Sequence, residues 1–411
     1  MAEGSSLSLV VIAGAAVLAP LLALALRRWR IPSVLFELGL GIAVGPAVLG
    51  WAEVDPFVKG LSTLGLAFLF FVAGYEIDFT RLRGTPLSRG AVGWLVSLAL
   101  GFGVAVVLQL QGFVISSLLV GLALTTTAIG TLLPMLKDRG FFGTPFGDLL
   151  AAAGAIGEFG PVLMLTVLVG SSSPGTELLL LAAFVLLAVA VAAAATRTKP
   201  PGFLDYVRVQ LSTTSQMPVR VVMFLIIGMV ALATQLGLDM LLGAFAAGLI
   251  ARLALPTAAG AILTPRLDSL GFGFLIPVFF VVSGMNFDIT ALADPGTAVR
   301  VPLFLGLFLA VRGLPALLVY KGVLTLRDRT AMALLQSTAL PLLVVITTVG
   351  LETDQMRPQN ATALVGAGML SVLVFPLVSF ALLGRGQGPP APGTETDPEL
   401  ERMEGMAEEG L

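Results

Sequence analysis

The 411 residues are 57% hydrophobic and only 12% charged, with a formal net charge of −2 and neither Cys nor His. Soluble domains carry about 25% charged residues, so this chain cannot cover a water-facing surface. Without thiols or imidazoles it has no disulfide, no thiol nucleophile, none of the usual zinc ligands and no near-neutral histidine switch, which leaves proton chemistry to carboxylates.

A membrane-spanning helix needs about 20 mainly apolar residues. Runs of that kind fall at roughly 7–26, 31–50, 60–78, 90–110, 114–134, 147–170, 177–195, 218–236, 239–254, 270–287, 299–320, 330–350 and 361–383. They predict an all-α polytopic membrane protein of thirteen spans. The run 239–254 is short, as a broken or tilted segment would be. Met1–Ser6 brings no positive charge ahead of the first run, which reads as a retained span rather than a cleaved signal.

The charges alternate with this count. Of the 23 Lys and Arg, one set of alternate loops holds only Lys59, Arg300 and Arg357, and Arg312 lies inside a span. All the others cluster at the opposite face, among them Arg27, Arg28, Arg30, Arg89, Lys137, Arg139 and Arg252. Lys and Arg mark cytoplasmic loops, so the N-terminus is expected outside and the C-terminus inside. Residues 385–411 turn Gly- and Pro-rich, then acidic from Glu395 to Glu409, and read as a disordered cytoplasmic tail. The tail carries no glycine fingerprint of a nucleotide-binding domain, and no basic stripe suggests a nucleic-acid partner.

Phe70–Thr80 matches Phe279–Thr290 with one gap, and Thr126-Thr127-Ala128 matches Ser337-Thr338-Ala339 at nearly the same offset. The third span runs inward and the tenth outward. The two halves, about 7–170 and 218–383 around a linker helix at 177–195, are therefore expected to be inverted repeats, with a substrate site at their interface near mid-bilayer.

Thr125, Thr126 and Thr127 place three hydroxyls in the middle of the fifth span, and Gln336, Ser337, Thr338 and Pro341 do the same in the twelfth. Helices broken at matching positions of two halves free carbonyls and helix ends for an ion. The blander alternative has each hydroxyl bonding back to its own helix. Glu158 sits mid-span with no other charge between Asp148 and Glu177. An acid at such depth costs at least ~2.5–3.5 kcal/mol and marks a pathway, and a proton and a cation compete for it. Arg312, also mid-span, needs an acidic partner or a polar shell, with Glu158 and Glu76 as candidates. Asp78, Asp288 and Asp239 lie at span ends and read as helix-end residues.

Ile31-Pro32 with Gly39–Pro46, Phe71–Asp78, Leu242–Gly248 and Ile276–Val281, in this order, resemble signatures of the cation:proton antiporter superfamily, in its Kef-type and bacterial sodium/hydrogen exchanger branch. The resemblance covers about residues 7–383. It implies a dimer domain beside a mobile core in which broken spans five and twelve cross. It also implies a homodimer and alternate binding of an alkali cation and a proton at Glu158, assisted by Thr125, Thr126, Thr127, Ser337 and Thr338. Arg312 would be the stabilising base and Glu76 its acidic partner. Where the superfamily usually has Asp-Asp, Asn-Asp or Gln-Asp, this chain has Gly157-Glu158.

The expected function is exchange of Na+ or K+ for H+, one for one and electroneutral, in the plasma membrane of a prokaryote, without a cofactor or a catalysed reaction. A gated cation channel and a sodium-coupled symporter of an organic anion on a related fold are the alternatives.

Overall fold

The computed structural model describes residues 3–26, 32–77, 84–169, 174–197, 209–211, 213–255, 257–287, 289–290 and 294–384. The expected tail at 385–411, Asp78 and Asp288 lie outside them. The described secondary structure is helical: α1 (Glu3–Ala25), α2 (Ser33–Val44), α3 (Pro56–Tyr75), α4 (Thr85–Leu110), α5 (Ser117–Leu124), α6 (Ile129–Asp138), α7 (Pro145–Val169), α8 (Pro174–Arg197) and α9 (Met217–Gln235). There follow α10 (Met240–Ala254), α11 (Thr257–Leu270) and α12 (Ile276–Met285) joined by a π-turn at Gly271–Leu275, then α13 (Pro295–Phe308) and α14 (Leu314–Val319) joined by a π-turn at Leu309–Gly313. α15 (Leu326–Gln336), α16 (Pro341–Glu352) and α17 (Pro358–Leu383) complete the chain.

Ten of the resulting helical runs are long and apolar enough to cross a membrane, and Ser33–Val44, Ser117–Leu133 and Met240–Ala254 are shorter apolar stretches. Helix occupies every predicted segment, with two differences. The segment at 239–254 is one continuous helix, α10, rather than a broken one. The segment expected at 270–287 starts earlier, at Thr257, because Pro265, Arg266 and Asp268 interrupt the apolar run without interrupting the helix.

The starts of the helices follow local chemistry. Asp55, Asp239 and Asp294 accept amide hydrogen bonds from Val58, Leu241 and Thr297 at 2.8, 2.8 and 3.0 Å, and Thr325 caps Asp328 at 3.2 Å. Short oxygen-bearing side chains at these positions satisfy orphan donors that lipid cannot. Asp239 is thus the helix-end residue its position suggested.

The helices pack in two groups: α1–α3 with α8–α12, and α4–α7 with α13–α17. Small residues set the closest approaches. Gly41 of α2 and Gly284 of α12 face one another's backbones, where an added Cβ would lie 2.1 Å from the Val281 carbonyl and 2.2 Å from the Leu38 carbonyl. Backbone contact of this kind is how membrane helices gain van der Waals attraction without a hydrophobic drive between them. In the most apolar stretch of α8, by contrast, mean hydropathy is 2.9 and only 11% is buried inside the protein. That surface is suited to acyl chains.

Candidate ion site at the crossing of two broken helices

Between α5 and α6 the chain leaves helical geometry at Thr125–Ala128. The hydroxyls of Thr125 and Thr126 donate back to the Leu122 and Ala123 carbonyls at 2.8 and 2.9 Å, a local competition that weakens the helix. The amides freed by the break find partners elsewhere. Thr127 N–H donates to the Gly157 carbonyl at 3.0 Å and Ala128 N–H to the Thr338 carbonyl at 2.7 Å.

The second break, Ser337–Leu340, separates α15 from α16. Pro341 opens α16 at a position where a missing N–H costs nothing, and Leu340 ahead of it has φ −155° and ψ −61°. Ser337 and Thr338 again donate to their own helix, at the Ala333 and Leu334 carbonyls (2.7 and 3.4 Å). The Ala339 amide donates to Ser371 Oγ of α17 at 3.0 Å. The Ala128–Thr338 bond joins the two breaks directly, so the halves of both interrupted helices meet at one point.

Glu158 lies beside that point on α7 and is 1% exposed. Its Oε2 accepts from the Gly130 amide in the first turn of α6 at 3.3 Å, and the Ile129 amide faces it as well. A helix N-terminus presents unpaired N–H groups and a positive dipole end. Those donors serve an ionised carboxylate or the carbonyl oxygen of a protonated acid alike. No group of three or more acidic side chains that could hold a metal ion occurs among the described residues.

Arg312 is also 1% exposed and sits on the π-turn that ends just before Pro315. Its Nε and Nη2 donate to Thr127 Oγ1 at 2.9 and 2.7 Å, its Nη2 also approaches the Ala153 carbonyl at 3.3 Å, and its Nη1 reaches Ser97 Oγ at 3.4 Å. Thr127 Oγ1 in turn donates to the Gln336 carbonyl at 2.5 Å. A hydroxyl has one donor and two acceptor sites, so that of Thr127 is fully engaged. It links α14's π-turn to both broken helices.

Arg312 thereby takes the polar-shell option and not an acidic partner. The pair expected between Arg312 and Glu76 does not form. Glu76 caps the C-terminal end of α3, and its Oε1 lies 2.5 Å from Nζ of Lys137 in the last turn of α6. The long Lys137 stem reaches α3 from the helix end, whereas Arg312 is held at the crossing by Thr127. Of the six residues expected around the ion, Glu158 is the one whose side chain meets a helix N-terminus. Thr125, Thr126, Ser337 and Thr338 bond to their own helices, and Thr127 binds Arg312.

Gly157 explains why the guanidinium fits. A Cβ there would stand 2.5 Å from Arg312 Nη2 and 2.8 Å from Thr127 Oγ1. The absence of a side chain at residue 157 leaves the space Arg312 occupies. Sequence reasoning missed Ser97, Lys137 and Ser371. Ser97 and Ser371 are hydroxyls in apolar helices, which carry no signal of their own until the helix they face is known.

Residues 13–384 match the transmembrane sodium/hydrogen exchanger family. The chain is similar to YjbQ of Bacillus subtilis (strain 168), described as a putative Na(+)/H(+) antiporter, at 29% identity over 418 residues, 95% of this chain and 65% of that protein. It thus spans about two thirds of that relative's length. It is also similar to the Na(+)/H(+)-K(+) antiporter GerN of Bacillus cereus, at 28% identity over 265 residues, 62% of this chain and 65% of GerN. Its fold matches that of the sodium proton antiporter MjNhaP1 of Methanocaldococcus jannaschii with a TM-score of 0.62, covering 92% of this chain and 97% of that one at 16% identity. Two broken helices crossing beside a lone buried carboxylate, on a chain matched from residue 13 to residue 384, belong to a member of the sodium/hydrogen exchanger family, whose proteins are membrane transporters rather than enzymes.

Proposed function

We propose that this protein exchanges a monovalent cation, Na+ or K+, for H+ across a prokaryotic plasma membrane, with Glu158 binding cation and proton in turn as the site alternates between the two faces. The observation that carries this reading is the placement of Glu158: a buried carboxylate at a helix N-terminus where two interrupted helices cross. Neutral amide donors hold it in either protonation state, and the unwound segments supply carbonyl dipoles for a cation. The names of the relatives YjbQ and GerN point to sodium and potassium.

One exchangeable carboxylate at the crossing favours one cation per proton at each turnover, and so electroneutral transport. Arg312 remains charged throughout and holds the crossing together. An organic-anion symporter would need Arg312 for its substrate, yet the donors of that side chain go to Thr127, Ser97 and Ala153. The inverted-repeat relation of the two halves, the N-out/C-in orientation and a homodimer belong to the same reading. The paired breaks support the first of these, and the one-sided distribution of Lys and Arg supports the second.

The test is purified protein in proteoliposomes with an internal pH dye and Na+, K+ or Li+ added outside. We expect a cation-dependent pH change that Glu158→Gln abolishes and that an imposed membrane potential leaves unaltered. No response to any alkali cation in the wild type would overturn the reading.

A further inference from the structure

A second buried acid lies away from the crossing. Glu37, in the second turn of α2, is 6% exposed and has no hydrogen bond or ion pair with any described residue. It is the one charged residue between Arg30 and Glu53. The sequence comparison passed over it, two positions before the Gly39–Pro46 run.

Glu37 lines a cavity of about 880 Å³ that runs between the two helix groups. One rim is formed by Pro32, Ser33 and Arg139, at the face that gathers Lys and Arg. The other end reaches Gly130 and Thr131 in the first turn of α6. Phe280 of α12 and Val372 of α17 are among the apolar parts of the wall. Among the described residues, Glu37 and Arg139 are its ionisable groups, and the Arg139 guanidinium sits 4.9 Å from the Phe380 ring.

A carboxylate buried without a protein partner is costly unless water or a cation completes it. A water occupies about 30 Å³, so this cavity has room for a hydrated ion. Gly130 ties the two acids together. It forms part of the cavity wall, and its amide holds Glu158.

Building on the exchange reading, we infer that Glu37 is a second exchange carboxylate, which holds one proton or one hydrated monovalent cation in this cavity on the way to Glu158. On cation binding the acid releases its proton to cavity water and becomes the carboxylate partner of the cation. The reverse step reloads the proton.

The experiment measures cation-driven proton release from detergent-solubilised protein in weakly buffered solution, with NaCl or KCl as the probe and choline chloride as the control. Glu158→Gln is expected to retain part of the wild-type release, and Glu37→Gln/Glu158→Gln to lose it. Glu37→Asp/Glu158→Gln should restore it, which separates loss of the acid from misfolding, and each variant is checked for monodispersity. In proteoliposomes, Glu37→Gln should raise the half-saturating cation concentration severalfold.

Equal release from Glu158→Gln and the double variant would overturn the proposal, whatever the transport assay shows. If Glu37-dependent release persists while the wild type exchanges no alkali cation, the second site stands and the exchange reading falls.

Discussion

The two breaks look alike in sequence but are completed by different chemistry. At the first, the helix that restarts at Ile129 directs its amides at the Glu158 carboxylate, and its far end is tied to α3 by the Lys137–Glu76 ion pair. At the second, the Ala339 amide meets the Ser371 hydroxyl, which lies 2.7 and 3.1 Å from the Gly368 and Ala339 carbonyls. The helix it precedes ends with Thr353 bonded to the Val349 carbonyl. One arm is therefore organised around charges and the other around neutral groups. Two breaks of similar sequence can therefore serve one carboxylate at the crossing, because likeness of sequence does not impose likeness of charge.

Four substitutions probe that contrast. The largest effect belongs to Arg312→Ala, because Arg312 acts on both breaks through Thr127. Loss of its bulk and of the partners of Thr127 and Ser97 should destabilise by about 3 kcal/mol or more, read as a marked fall in the thermal midpoint in detergent. Ser371→Ala should cost about 1–2 kcal/mol by orphaning the Ala339 amide, with exchange retained. Glu158→Gln has the opposite profile: exchange lost, midpoint little changed. If Ser371→Ala abolished exchange at an unchanged midpoint, the two breaks would not divide the labour as described. The smallest effect is expected from Lys137→Gln. Its pair with Glu76 is partly exposed, with side-chain accessibilities of 33% and 10%. Gln keeps a hydrogen-bond donor for the Glu76 carboxylate, and one neutral hydrogen bond is worth about 1 kcal/mol, so the midpoint should move least.

Hydropathy and the alternation of Lys and Arg made the helical segments legible, since lipid forces every spanning backbone to satisfy itself. The breaks were legible too. Consecutive Thr residues, and Ser-Thr ahead of Pro341, are unfit for uninterrupted helix. Glu158 stood out because no charge lies near it in the chain. Pairing was not legible. Arg312 had two plausible acids and chose neither, because Thr127, Ser97 and Ala153 come from elements whose facing residues depend on packing. Glu76 found Lys137 for the same reason. The start of α11 was hidden by Pro265, Arg266 and Asp268, which lower hydropathy inside a continuous helix. Glu37 was visible as an isolated acid, but only the cavity gives its isolation meaning.

The missing side chain at residue 157 couples three positions. Arg312 Nη2 lies where a Cβ at residue 157 would stand, so any replacement of the glycine requires the guanidinium to shift. The guanidinium must first withdraw, and it is held by Thr127. Residues 127, 157 and 312 therefore form one epistatic set: the effect of a change at any one of them depends on which side chains stand at the other two.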